Sequence, residues 1–154
     1  MDNIQILDTA FSAAEALAQF EARAAGAGAI VSFTGLVRPK SQAGEVTGLY
    51  LQAYSPLTET GIAAAAKDAR RRWNLTALCI IHRVGDMVPG DAIVFVATAS
   101  AHRRAAFEAA DFLMDYLKTE AVFWKKETTP KGETWIEPRL EDYADRKRWS
   151  KAGT

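Results

Sequence analysis

Residues Ser100–Glu127 read SAHRRAAFEAADFLMDYLKTEAVFWKKE. The stretch predicts one amphipathic helix followed at once by a strand. Ala106, Ala110, Leu113 and Leu117 recur at the 4-3-4 spacing of a helical core stripe, and Phe107 and Met114 widen it. Ser100 stands where an N-cap is expected. From Phe123 the period changes to two, which sends Phe123, Lys125 and Glu127 to one face and Trp124 and Lys126 to the other.

The charges of this helix are awkward. His102, Arg103 and Arg104 crowd its first turns, where the helix dipole disfavours cations by roughly 0.3–1 kcal/mol each. Free backbone N–H groups at that end favour an anion such as phosphate. Two readings stay open there: an unfilled anion site, or solvated side chains. Lys118 lies one turn after Met114, either as a favourable C-terminal cation or at the rim of an apolar pocket. Lys125 and Lys126 either guard an exposed strand edge or bring an amine close to Lys118. Crowded, partly buried amines have lowered pKa values and suit proton transfer. His102 and Lys118 are sixteen residues apart, roughly 24 Å along a helix. If both serve one small substrate, two copies of the chain must share the site.

Working outward, the rest alternates strands and helices. Asn3–Leu7 predicts a short strand, and Ser12 caps a helix to about Ala24. Ala29–Val37 is an apolar strand, Arg38–Glu45 has loop composition, and Val46–Tyr54 alternates as a strand. Pro56 opens a helix to about Trp73 that ends in Arg70-Arg71-Arg72. Ala77–Val84 and Ala92–Ala99 are joined by GDMVPGD, as in a hairpin. A strand over Val122–Thr129, a turn, a last strand near Trp135 and a charged tail from Leu140, helix or arm, complete a mixed α+β pattern.

The composition bounds the function. Of 154 residues, 49% are hydrophobic and 25% charged, as in ordinary globular domains. Lysine plus arginine balance aspartate plus glutamate at 19 each, so no global field favours nucleic acid, and Arg70–Arg72 read as a solvated helix end. The start of the chain shows no signal-peptide pattern, and no run reaches the roughly 18 apolar residues of a membrane span. A cytoplasmic setting is expected. The lone Cys79 reads as an inert core thiol, and with His82 and His102 it offers too little for a dedicated metal site.

The segments FTGLVR (Phe33–Arg38), IHRVGDMVPGD (Ile81–Asp91), SAHRRAAFEA (Ser100–Ala109), MDYLKT (Met114–Thr119) and FWKKE (Phe123–Glu127) together resemble the catalytic, large subunit of molybdopterin synthase. They follow in the same order over nearly the whole chain, about Ile4 to Trp149, which makes the match specific. The resemblance implies an α/β hammerhead with an additional antiparallel β subdomain, residues 1–150 as one domain and 151–154 as a tail. It implies a sulfurtransferase of molybdenum cofactor biosynthesis that installs the dithiolene sulfurs of molybdopterin on cyclic pyranopterin monophosphate (precursor Z). The sulfur comes from a small ubiquitin-like partner with a C-terminal Gly-Gly thiocarboxylate. The assembly implied is a heterotetramer around a homodimer of large subunits.

Residue by residue, the family's substrate-binding positions match Leu36, Val37, Arg38, His102, Arg103, Lys118, Lys125, Lys126, Glu127 and Arg139. Arg139 would come from the neighbouring subunit, and Lys118 and Lys125 match the catalytic lysines. Lys125 is then expected to move protons, Lys118 to position the thiocarboxylate, and Glu127 to orient Lys125. The arginines and His102 suit a cyclic phosphate, and no metal or redox cofactor is demanded. Pro39-Lys40 and Lys126 depart modestly from the family pattern. The alternative is a non-catalytic module that binds a ubiquitin-like tail.

Overall fold

A computed structural model describes residues 2–137 and 140–150 of the chain; Arg139 and the 151–154 tail lie outside the described residues. The elements are β1 (Asp2–Leu7), α1 (Ala13–Arg23), β2 (Ala29–Leu36), β3 (Lys40–Ser41), β4 (Gly44–Glu45), β5 (Gly48–Ala53) and α2 (Leu57–Arg72). They continue with β6 (Leu75–Arg83), β7 (Gly85–Met87), β8 (Ala92–Ser100), α3 (Arg103–Thr119), β9 (Phe123–Thr129), β10 (Gly132–Ile136) and α4 (Leu140–Lys147).

The main sheet has the order β1-β6-β8-β2, with β1 and β6 parallel and the other pairs antiparallel. Its central strands are mostly apolar because both faces are covered. Leu78 and Ile80 of β6 and Val94 and Val96 of β8 meet α2 and α3, in a core with Ile62, Ala69, Phe112 and Leu113. The intervening Ala77, Cys79 and Ile81 turn to α1, where Phe20 fills a second core. Strand alternation thus builds two helix layers on one sheet. Ser12 caps α1 as expected, accepting a hydrogen bond from the Glu15 amide.

A second, antiparallel sheet has the order β10-β9-β5-β7, packed around Val37, Leu49, Leu51 and Met87. This is the α+β hammerhead with its added antiparallel sheet that the resemblance implies. Residues 85–91 are more than a hairpin turn, however. β6 and β8 do pair, but β7 between them joins the second sheet through Leu49↔Met87 and its neighbours.

Three local expectations need correction. Ser100 is not the N-cap of α3. It ends β8, paired with both Ala29 and Leu75, and its hydroxyl donates to the Asn74 carbonyl at 2.7 Å. The helix starts at Arg103 with His102 as N-cap, lacking a side-chain capping bond. Phe107 does not widen the core stripe, being 56% exposed, while Phe112 takes that place. Nor is the Arg70–Arg72 cluster a solvated end. Arg70 pairs with Asp2 and donates to the Leu75 carbonyl, Arg71 pairs with Asp68, and Arg72 reaches Asp68 and the Trp149 carbonyl.

That last contact belongs to a clasp that sets the tail. Trp149 is buried against Trp73 and Phe112, and its indole N–H donates to Asp115 Oδ2 at 2.6 Å. Arg148 adds a charged bond to the same carboxylate at 2.8 Å. Asp115 would otherwise be an unpaired acid in a buried helix face, and burial still pushes its carboxyl up against these bonds. The clasp holds α4 along α3, so that Asp142 and Tyr143 face the space between the two sheets.

Candidate functional site

That space is a cavity of about 570 Å³, a size that suits a small-molecule ligand. Its floor comes from the end of β2 and from β6, through Phe33, Leu36 and His82. The last turns of α3 supply Met114 and Lys118, and the inward face of β9 supplies Phe123, Lys125 and Glu127. Arg38 stands just beyond β2, and the short β3–β4 hairpin lays Ser41 and Gln42 along one side. Met114 both packs on the main core and lines the cavity.

The alternation read from FWKKE is the one found. Lys125 and Glu127 face the cavity, and Lys126 faces away, 3.4 Å from Glu133 and between the rings of Tyr50 and Trp135. On that outer face Trp124 meets Trp135 and Tyr54 edge-on.

The cavity is electrostatically unusual. Burial is the main cause that holds the Lys125 amine below the ordinary lysine range, and the nearby cations of Lys118 and Arg38 add to it. Glu127 and Asp142 oppose the shift. Glu127 is buried, and its Oε1 accepts the Ser41 hydroxyl at 2.7 Å, so its position is fixed by the hairpin. His82 is buried too, its ring stacked on Phe123 with centroids 4.1 Å apart. Desolvation, with Lys118 and Lys125 adding to it, takes its pKa down to about 4, although a hydrogen bond to the Arg83 carbonyl works the other way. The imidazole is therefore neutral at physiological pH. Three cations, two buried acids and a neutral histidine around one cavity can hold an anionic ligand and leave one amine able to exchange a proton.

Of the residues expected at the site, Leu36, Arg38, Lys118, Lys125 and Glu127 line this one cavity. Val37 is buried in the second sheet's core, with its backbone bonded to Asp91 and Gly90. Lys126 is on the opposite face of β9. His102 and Arg103 are exposed at the far end of α3, and neither lines the cavity.

The sequence model of the MoaE protein family matches residues 6–120. The chain belongs to this family. Its relatives include the molybdopterin synthase catalytic subunit of Pseudomonas aeruginosa, 46% identical over 146 residues, which span 95% of this chain and 97% of the relative. Among solved structures, the molybdopterin biosynthesis MoaE protein of Burkholderia ambifaria superposes with a TM-score of 0.81 at 43% identity, covering 97% of this chain and 98% of that one. A complex of subunits 1 and 2 of the molybdopterin-converting factor from Helicobacter pylori superposes with a TM-score of 0.73 at 25% identity, over 88% and 91% of the two chains.

Sequence reasoning missed several cavity residues of this MoaE chain, among them His82, Ser41 and Asp142. His82 sits in an apolar strand, IIHR, and gave no sign of facing a cavity. Ser41 lies in a stretch of ordinary loop composition, and Asp142 in a charged tail. The Trp149–Asp115 clasp, with the Arg146–Glu120 pair, brings that tail over the site, and its signal was a tryptophan in a mostly charged end.

Proposed function

We infer that this chain is the catalytic subunit of a molybdopterin synthase. It transfers sulfur from the C-terminal thiocarboxylate of a small ubiquitin-like subunit to cyclic pyranopterin monophosphate, forming the dithiolene of molybdopterin. The observation that carries the chemistry is the cavity in which Lys118, Lys125 and Arg38 converge beside Glu127. The H. pylori complex supports a two-subunit assembly. No described helix is long and apolar enough to cross a membrane, and the setting proposed is the cytoplasm, with residues 1–150 acting as one domain.

In each cycle the thiocarboxylate sulfur attacks a side-chain carbon of the pterin, forming a C–S bond as a C–O bond at that carbon breaks. The oxygen leaves on the phosphate at one carbon and as water at the other. Water then hydrolyses the acyl link, which leaves sulfur on the pterin and a carboxylate on the partner's tail, and a second partner repeats the step. Lys118, at the cavity rim, holds the anionic thiocarboxylate and the negative charge that develops on its carbonyl. Lys125, with its lowered pKa, donates and recovers the proton. Glu127, pinned by Ser41, keeps Lys125 oriented. His102 and Arg103 hold the phosphate from a second copy of the chain, together with Arg139, because the length of α3 keeps them from their own cavity. Leu36 shapes the wall around the ligand, while Val37 and Lys126 act through the backbone that positions Arg38 and Lys125.

The test mixes the protein with thiocarboxylated partner and precursor Z and looks for dithiolene product. Product separates the enzyme from a module that only binds the tail. Cys79 is buried in the α1 core, and burial raises its thiol pKa, so Cys79→Ser should still form product.

A further inference from the structure

His82 has no role in the steps above, yet its surroundings are those of a ligand contact. It is 6% exposed, and its ring is clamped in two ways, by the stack on Phe123 and by a hydrogen bond at 3.1 Å to the Arg83 carbonyl. A carbonyl only accepts, so Nδ1 carries the proton and Nε2 keeps a lone pair. Among the described residues Nε2 has no hydrogen-bond partner. It is not a sealed, orphaned atom either, and the residue lines the cavity. Nε2 is therefore an acceptor open to the cavity, available to a bound ligand.

We propose that His82 is a ligand-binding residue of the cavity, its Nε2 accepting a hydrogen bond from an N–H group of the bound ligand. The inference rests on the function proposed above. The charged groups around the cavity are Lys118 of α3, Lys125 and Glu127 of β9, Arg38 after β2, Glu137 after β10 and Asp142 of α4. The cations donate, and Glu127 already accepts from Ser41. His82 adds a neutral aromatic acceptor beside the apolar wall of Phe123, Phe33 and Met114, a setting for the edge of a flat, N–H-bearing molecule. Two ligands bring such a donor: the ring or amino N–H of the pterin, and a backbone amide of the partner's C-terminal tail.

His82→Phe keeps the ring and its stack but removes the acceptor, and His82→Gln restores an oxygen near the Nε2 position. In the full chain, with thiocarboxylated partner and precursor Z, His82→Phe should weaken one constant by about five- to tenfold. His82→Gln should bring that constant back to within about twofold of the unsubstituted protein. A raised KM for precursor Z identifies the pterin as donor, and a raised Kd for the partner identifies the tail. Both constants unchanged in a folded His82→Phe, or equal losses in the two variants, would overturn the proposal. If His82→Phe does not fold, the Nε2 resonance of the unsubstituted protein decides in ¹⁵N NMR. It should move when precursor Z or the partner is added and stay in place with inorganic phosphate. A resonance that ignores both ligands also overturns the proposal. Failure of the unsubstituted protein to form dithiolene product would instead sink the functional reading itself.

Discussion

The two ends of α3 carry similar charges in very different surroundings. At the C-terminal end Lys118 faces a walled cavity shared with Lys125, Glu127 and His82. At the N-terminal end His102, Arg103 and Arg104 stand exposed, with no acid in the first turn and no side-chain cap. One end has the enclosure that shifts an amine's pKa. The other has cations and free backbone N–H groups but no walls of its own. On the function proposed above, what the difference teaches is that the exposed cations at this dipole-disfavoured position are half of a site that another copy of the chain completes.

Lys125→Ala should break the enclosed end most severely. Product formation is expected to fall about 100-fold or more, while partner binding measured by titration calorimetry stays near normal. Next in size is the open end. His102→Ala and Arg103→Ala should each raise the KM for precursor Z by about tenfold with a smaller change in kcat, the pattern of a lost charged contact. Glu127→Gln removes a charge that holds the Lys125 pKa up, so the pH–rate limb governed by that amine should move to lower pH. A limb that stays in place would remove Glu127 from its orienting role.

A stability measurement sharpens the same contrast. Unfolded, His82 takes up a proton near pH 6.5, and folded only near about 4. The unfolded chain therefore binds more protons across that window, and stability falls as pH drops through it, by on the order of 3 kcal/mol in full. His82→Phe should flatten this acid limb in urea titrations at stepped pH. The smallest effect belongs to Lys126→Ala. Its side chain pairs with the exposed Glu133 outside the cavity, so about threefold or less in activity and under about 1 kcal/mol in stability are expected.

The sequence made the enclosed end legible only in part. The stripe of Ala106, Ala110, Leu113 and Leu117 and the in-out alternation of Phe123–Glu127 are local periodicities, and both appear as read. Ser100 misled because a serine before a helix reads as a cap, whereas sheet pairing carries β8 through it. Phe107 misled because hydrophobicity alone does not say which flank of a stripe faces the sheet. His82 and Ser41 reach the cavity through contacts with residues 41 and 86 positions away, and Asp142 rides on a helix that Arg148 and Trp149 tie to Asp115, 33 and 34 positions back. No local pattern encodes those. The open end was legible as a charge conflict, and helix length turned it into a statement about assembly.

Subunit complementation tests that statement most directly. One preparation carries His102→Ala with Arg103→Ala, the other Lys125→Ala, and each alone should make little dithiolene product. Mixed, dissociated and reassociated, and assayed with precursor Z well below its KM, they should recover about one quarter of unsubstituted activity, because half of the dimers then hold one intact site of two. Activity no greater than the sum of the separate variants would contradict a site shared between two copies of the chain.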